Sequence, residues 1–170
     1  MLHRRHALFA AAILLLSLLS ACGFRLRGEV DTNLSFKTIY LGLPENSALG
    51  SDLRRYIRST GNAEVVDDPK QAEAIVEIVQ PERRDRVVLS LNAAGQPIEY
   101  TLWYKFSFRV HDSKNRELLP TTAIALKRDL TFNAAIALAK EAEAEALYRD
   151  MQSDLAQQVL RRLAAIKPLP

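Results

Sequence analysis

The sequence predicts an α+β fold: a two-layer sandwich with two helices packed on one face of a four-stranded, mostly antiparallel sheet, in the order β-α-β-β-β-α. Three patterns carry this. Ile98, Tyr100, Leu102, Tyr104, Phe106, Phe108 and Val110 alternate with Glu99, Thr101, Trp103, Lys105, Ser107, Arg109 and His111. Leu49, Leu53, Tyr56 and Ile57 form one helical stripe, and Leu147, Met151, Leu155, Val159 and Leu163 form a longer one. Alternating strands need one face covered, and singly striped helices need a face to cover.

The elements follow in order. Phe36 to Leu43 reads as a first strand, with Ile39 and Leu41 alternating against Tyr40. Pro44 to Ser47 is turn chemistry and offers a helix N-cap at Asn46 or Ser47. The helix runs to Thr60, and Gly61 is a natural stop. Glu64 to Val66 is a candidate short strand outside the count of four. A firmer strand starts near Ala74, is interrupted at Pro81, and resumes through Leu91; the proline implies an edge position or a bulge. Asn92 to Pro97 is a hairpin turn. The best-patterned strand follows, then a turn over His111 to Pro120 and a strand over Thr121 to Phe132, where Arg128 breaks the apolar face. Asn133 caps the last helix; residues 134–140 read either as its start or as a separate first turn. The uncovered sheet face carries Trp103, Lys105, Arg109 and Lys127, a mixed surface suited to meeting another protein.

The N-terminus has a different plan. Met1 to His6 is basic, Ala7 to Leu19 is apolar and uncharged, and Ser20 and Ala21 are small, as in a secretory leader. The apolar run spans about 20 Å at 1.5 Å per residue, short of a hydrocarbon core of roughly 30 Å. Leu19-Ser20-Ala21-Cys22 resembles the bacterial lipobox. That resemblance implies cleavage before Cys22, a diacylglycerol on its sulfur and an acyl chain such as palmitate on the new N-terminus. Several acyl chains anchor a protein where one is marginal. Gly23, in place of an aspartate, implies an outer-membrane address. The expected organisation is a leader over residues 1–21, a lipidated tether over 22–35, one domain over 36–166 and a tail over 167–170.

The chain has 23 Lys and Arg against 20 Asp and Glu, a formal net charge of +3. Loss of the leader removes Arg4 and Arg5 and brings the balance near neutrality. Anion binding must then come from local clusters, not from the overall field. Little supports an enzyme. With its leader removed the chain has one histidine, His111 beside Asp112, and no glycine-flanked serine. The single cysteine is taken by lipid, and no His, Cys or Asp cluster has ligand spacing. Glu141, Glu143 and Glu145 do not share one helical face and read as solvated. No cofactor is expected beyond the lipid on Cys22, and nucleic acid is a poor partner for a periplasmic protein. The basic groups Arg83, Arg84 and Arg86, Lys127 and Arg128, and Lys140 are the better candidates, since Arg binds phosphate as a fork and Lys as a point charge. Each competes with a plain ion pair to Glu82, Asp85 or Asp129.

The segments "CGFRLRG", "GQPIEY" and "ALAKEAEAEALYRDMQSDLAQQVLRRL" resemble the LPS-assembly lipoprotein (LptE, or RlpB) family over nearly all of the chain after its leader. That resemblance implies two helices on a four-stranded sheet and a non-enzymatic role. It implies a plug inside the outer-membrane β-barrel LptD, which the plug helps to assemble, and delivery of lipopolysaccharide to the outer leaflet. Lys140 in "ALAK" matches a family lysine implicated in lipopolysaccharide binding. A family arginine just before the Gly-Gln of the hairpin turn is absent, since Asn92-Ala93-Ala94 precedes Gly95-Gln96. Either Arg83, Arg84 or Arg86 takes that role, or the binding mode differs. The competing reading is a free periplasmic lipoprotein module for another ligand or envelope protein.

Overall fold

The structure is a computed structural model and describes residues 33–167. The leader, Cys22, most of the tether and residues 168–170 lie outside the described residues. The strands are β1 (Thr38–Leu41), β2 (Glu64–Val66), β3 (Ala74–Leu91), β4 (Pro97–His111) and β5 (Glu117–Thr131). The helices are α1 (Ala48–Thr60) and α2 (Ala137–Ala164). The strands form one sheet in the order β2-β1-β3-β4-β5.

This corrects the expected four strands to five, and the mostly antiparallel sheet to a mixed one. Glu64–Val66 pairs parallel with β1, and β1 pairs parallel with β3. The cause is the crossover: α1 carries the chain back, so β2 starts from the same end of the sheet as β1. A three-residue strand is too short for its own periodicity to announce it. The Gly42 N–H donates to the Val76 carbonyl at 2.9 Å, and a Cβ on Gly42 would lie 2.7 Å from that oxygen. Only glycine allows this approach.

Beyond Val76, β3 has no partner on its β1 side among the described residues, and it runs on as one arm of a long β3–β4–β5 meander. Its pairing with β4 shifts between Gln80 and Arg83. Pro81 therefore sits at a bulge and on a locally free edge, where its missing N–H leaves no gap in the ladder. β5 begins before the expected Thr121, at Glu117, and includes Pro120. It is an edge strand, so that proline is tolerated too.

The α1 ends match the sequence reading. The Ser47 side chain accepts from the Gly50 N–H, and Gly61 closes the helix in the left-handed conformation. Asn133 caps a single 3₁₀ turn, Ala134–Ile136, and α2 starts after it. Leu49, Leu53 and Ile57 of α1 and Met151, Leu155, Val159 and Leu163 of α2 pack on Ile39, Val76, Leu102, Phe106 and Phe108. Each such side chain contributes roughly 1.5–3 kcal/mol on burial. Leu34, at the end of the expected tether, is buried in this core.

Candidate functional site

Strand alternation decides where the candidate cations point. Arg84 and Arg86 pair with Tyr104 and Leu102 of β4, so they lie on the helix-covered face; Arg128 of β5 flanks Leu102 from the other side. Arg83 and Lys127 pair with Lys105 and Trp103 and lie on the open face. Lys140 is in the first turn of α2. The helix-covered sheet face thus carries Arg84, Arg86 and Arg128, and Lys140 lies on the covering helix, while Arg83 and Lys127 are on the opposite face.

Each of these four cations is paired with an acid of α2. Arg86 donates both terminal nitrogens to Glu141, at 2.7 and 2.8 Å. Arg84 reaches Glu145 at 3.2 Å, Arg128 reaches Asp154 at 2.6 Å, and Lys140 reaches Glu143 at 2.8 Å. The three glutamates, read from sequence as merely solvated, are instead the partners of three candidate cations. Arg128 breaks the apolar face of β5 because Asp154 waits for it. Aromatic rings hold the guanidiniums: Arg84 lies 5.5 Å from the Tyr104 ring and 5.1 Å from the Tyr148 ring, and Arg86 lies 5.4 Å from Tyr100. The Arg86 guanidinium holds the Glu141 carboxyl below its ordinary range. All four acids are about half exposed, so water screens each pair and each is weak.

The arrangement was legible in principle. Residues two apart on a strand are spaced about 6.8 Å, and residues four apart on a helix rise about 6 Å. Arg84 and Arg86 therefore match Glu145 and Glu141, an R-x-R against an E-x-x-x-E.

On the open face, Asp85 accepts from Arg83 at 2.9 Å and Lys105 at 3.0 Å, and Lys105 lies 5.2 Å from the Trp103 ring. The paired cations hold the Asp85 carboxyl low, Lys105 most of all. Lys127 is exposed and has no ion pair among the described residues. His111 sits against Glu77 at 3.4 Å and the Asp112 carbonyl, with no hydroxyl nucleophile bonded to its ring among the described residues.

Beyond the cations the surface turns apolar. Val87, Val88, Leu89, Leu91, Ile98, Ile136 and Leu138 are exposed, Leu138 to 86%. All belong to the β3–β4 hairpin tip, to the turn leading into α2 or to the first turn of α2 itself. A concavity of about 350 Å³ lined by Phe36, Asp112, Arg116 and Ile166 includes none of the six candidate cations.

The fold is a small α+β scaffold that carries paired basic side chains beside an exposed apolar tip. The scaffold is one that known bacterial lipoproteins share. The chain is similar to a lipoprotein B from Nitrosomonas europaea, with 42% identity and a TM-score of 0.70 over 84% of this chain and 91% of that one. The rare lipoprotein B from Shewanella oneidensis is 26% identical, with a TM-score of 0.65 over 76% and 95%. The LPS-assembly lipoprotein LptE of Yersinia enterocolitica is 32% identical over 168 residues, 95% of this chain and 78% of that protein. A family model described as LptE, lipopolysaccharide-assembly, matches residues 36–163. The chain belongs to the LptE family.

Proposed function

We propose that this protein is a lipopolysaccharide-binding lipoprotein, anchored through acylated Cys22 on the periplasmic side of the outer membrane, that plugs the LptD β-barrel, assists its assembly and helps deliver lipopolysaccharide to the outer leaflet. The observation that carries the binding role is the pairing of Arg84 and Arg86 with the first turns of α2, where Lys140 also sits, next to the apolar hairpin tip. Phosphates would meet the cations, and acyl chains would meet Val88, Leu89 and Ile98. Lys140, which the family resemblance singled out, stands next to the Arg86 partner Glu141. Arg86 then supplies the charge that the family arginine gives elsewhere. The open sheet face supports the plug role: its mix of Glu77, Asp85, Lys105, Arg109 and Trp103 suits the polar interior of an outer-membrane barrel.

Two measurements test this reading. Lipopolysaccharide binding by the full chain in neutral detergent is expected to fall about tenfold in Arg86→Glu and in Lys140→Asp, the loss of one charge-assisted contact. Undiminished binding in both rejects the site. Extraction of outer membranes in mild detergent is expected to co-isolate the barrel with this chain; recovery without a barrel rejects the plug role.

A further inference from the structure

We propose that Glu141 and Glu143, each from its own side of α2, set the ligand selectivity of Arg86 and Lys140, by occupying one cation each and yielding only to phosphate groups that carry more than one charge. The inference rests on the reading that Arg86 and Lys140 meet phosphates. The ligand class it selects is a phosphomonoester-bearing amphiphile, and the class it refuses is a phosphodiester lipid.

The geometry assigns unequal freedom to the two sides of each pair. The Arg86 and Lys140 side chains are 29% and 17% exposed, while Glu141 and Glu143 are 51% and 49% exposed. Arg86 is further held over the Tyr100 ring. The cations therefore sit deeper, and the carboxylates sit at the rim with water to move into. A ligand enters by displacing them.

The exchange is then a contest between anions. Glu141 meets the Arg86 fork with two oxygens and one negative charge. A phosphodiester headgroup also offers two free oxygens and one charge, so the exchange gains little. A phosphomonoester carries about −1.5 to −2 charges at neutral pH and three acceptor oxygens, so it prevails. The apolar tip cannot make this distinction, because any acyl chain suits it. Without the two glutamates, abundant phosphodiester lipid would fill the site. Arg84 with Glu145 repeats the same pairing one step along the strand.

The test uses the full chain in neutral detergent, titrated calorimetrically with short-chain phosphatidic acid, short-chain phosphatidylglycerol and inorganic phosphate. The unaltered protein is expected to prefer phosphatidic acid. In the double variant Glu141→Gln with Glu143→Gln, affinity for phosphatidylglycerol is expected to rise roughly three- to tenfold, the worth of one or two exposed ion pairs. Affinity for phosphatidic acid should rise less, so the preference shrinks. Inorganic phosphate is expected to bind more weakly than phosphatidic acid; equal binding would overturn the amphiphile class. An unchanged preference in the double variant, with binding still lost in Arg86→Gln with Lys140→Gln, overturns the selectivity role and leaves the phosphate site standing. Binding that survives loss of both cations, or no binding of either lipid by the unaltered protein, overturns both. The substituted glutamates are half exposed, so a melting temperature equal to the parent's is expected and separates selectivity from misfolding.

Discussion

The two ends of the β3–β4–β5 meander are built on opposite rules. Near the start of β3 the sheet is five strands wide and both helices cover it, and Ile39, Leu49, Leu53, Ile57, Val76, Phe108 and Leu155 are fully buried. At the hairpin end the sheet narrows to three strands under the first turns of α2. There apolar side chains face water, and charged ones are held to the helix by ion pairs. The first end is stabilised by packing. The second keeps its apolar surface uncovered and its charges only loosely paired, which is what a binding surface needs.

The largest effect that could break this division is a pair of truncations. Phe108→Ala at the packed end is expected to lower unfolding free energy by about 3–5 kcal/mol. Leu89→Ala at the tip, where the side chain is 55% exposed, should change it by less than about 0.5 kcal/mol. Urea unfolding of both variants decides. A large loss for Leu89→Ala would mean that the tip is part of the core.

A smaller effect is expected where the two ends join. The Pro81 bulge turns Glu82 onto the helix-covered face, where its carboxylate accepts from the Ser47 hydroxyl at 3.2 Å and from the Tyr104 hydroxyl. Burial first, and then this bond to Glu82, raises the Tyr104 pKa well above its ordinary value. Ser47 also caps α1 through the Gly50 N–H at 3.1 Å. Ser47→Ala removes both bonds and is expected to cost about 1 kcal/mol, within the usual 0.5–2 range for a lost cap. Urea unfolding that shows no loss would mean the bulge and α1 are not coupled through this residue.

The same contrast explains what was legible in the sequence. At the packed end, period and cap chemistry are local: the stripe of α1, Ser47, Gly61 and the alternation of β4 all stood in the residues. The parallel pairing of β2 did not, because it depends on where a crossover returns the chain. At the hairpin end the cations were visible as residue types, but their partners were not. Arg86 and Glu141 are separated by 55 residues. Asp154, further along α2, looked like any surface acid. Only Lys140 was singled out, and that came from a family resemblance rather than from spacing.

The smallest expected effect concerns acid. Asp112, at the packed end, loses solvation, which raises its pKa. The Arg116 and Lys114 backbone N–H groups and the Arg116 side chain outweigh this and leave the pKa lowered. Glu141, at the tip, is lowered by Arg86. A carboxylate held below its ordinary value of about 4 contributes stability above that pH and loses it as pH falls through the lowered value. Both acids therefore feed the acid limb of the stability curve, but unequally. The Asp112 side chain is 11% exposed and holds two backbone donors, whereas Glu141 is 51% exposed and screened by water. Melting temperatures taken from pH 7 down to pH 2.5 should flatten clearly in Asp112→Asn and only slightly in Glu141→Gln. Equal flattening would mean that the Arg86–Glu141 pair is a structural fastening like Asp112, and the tip would then have to be read as framework instead of an exchangeable surface.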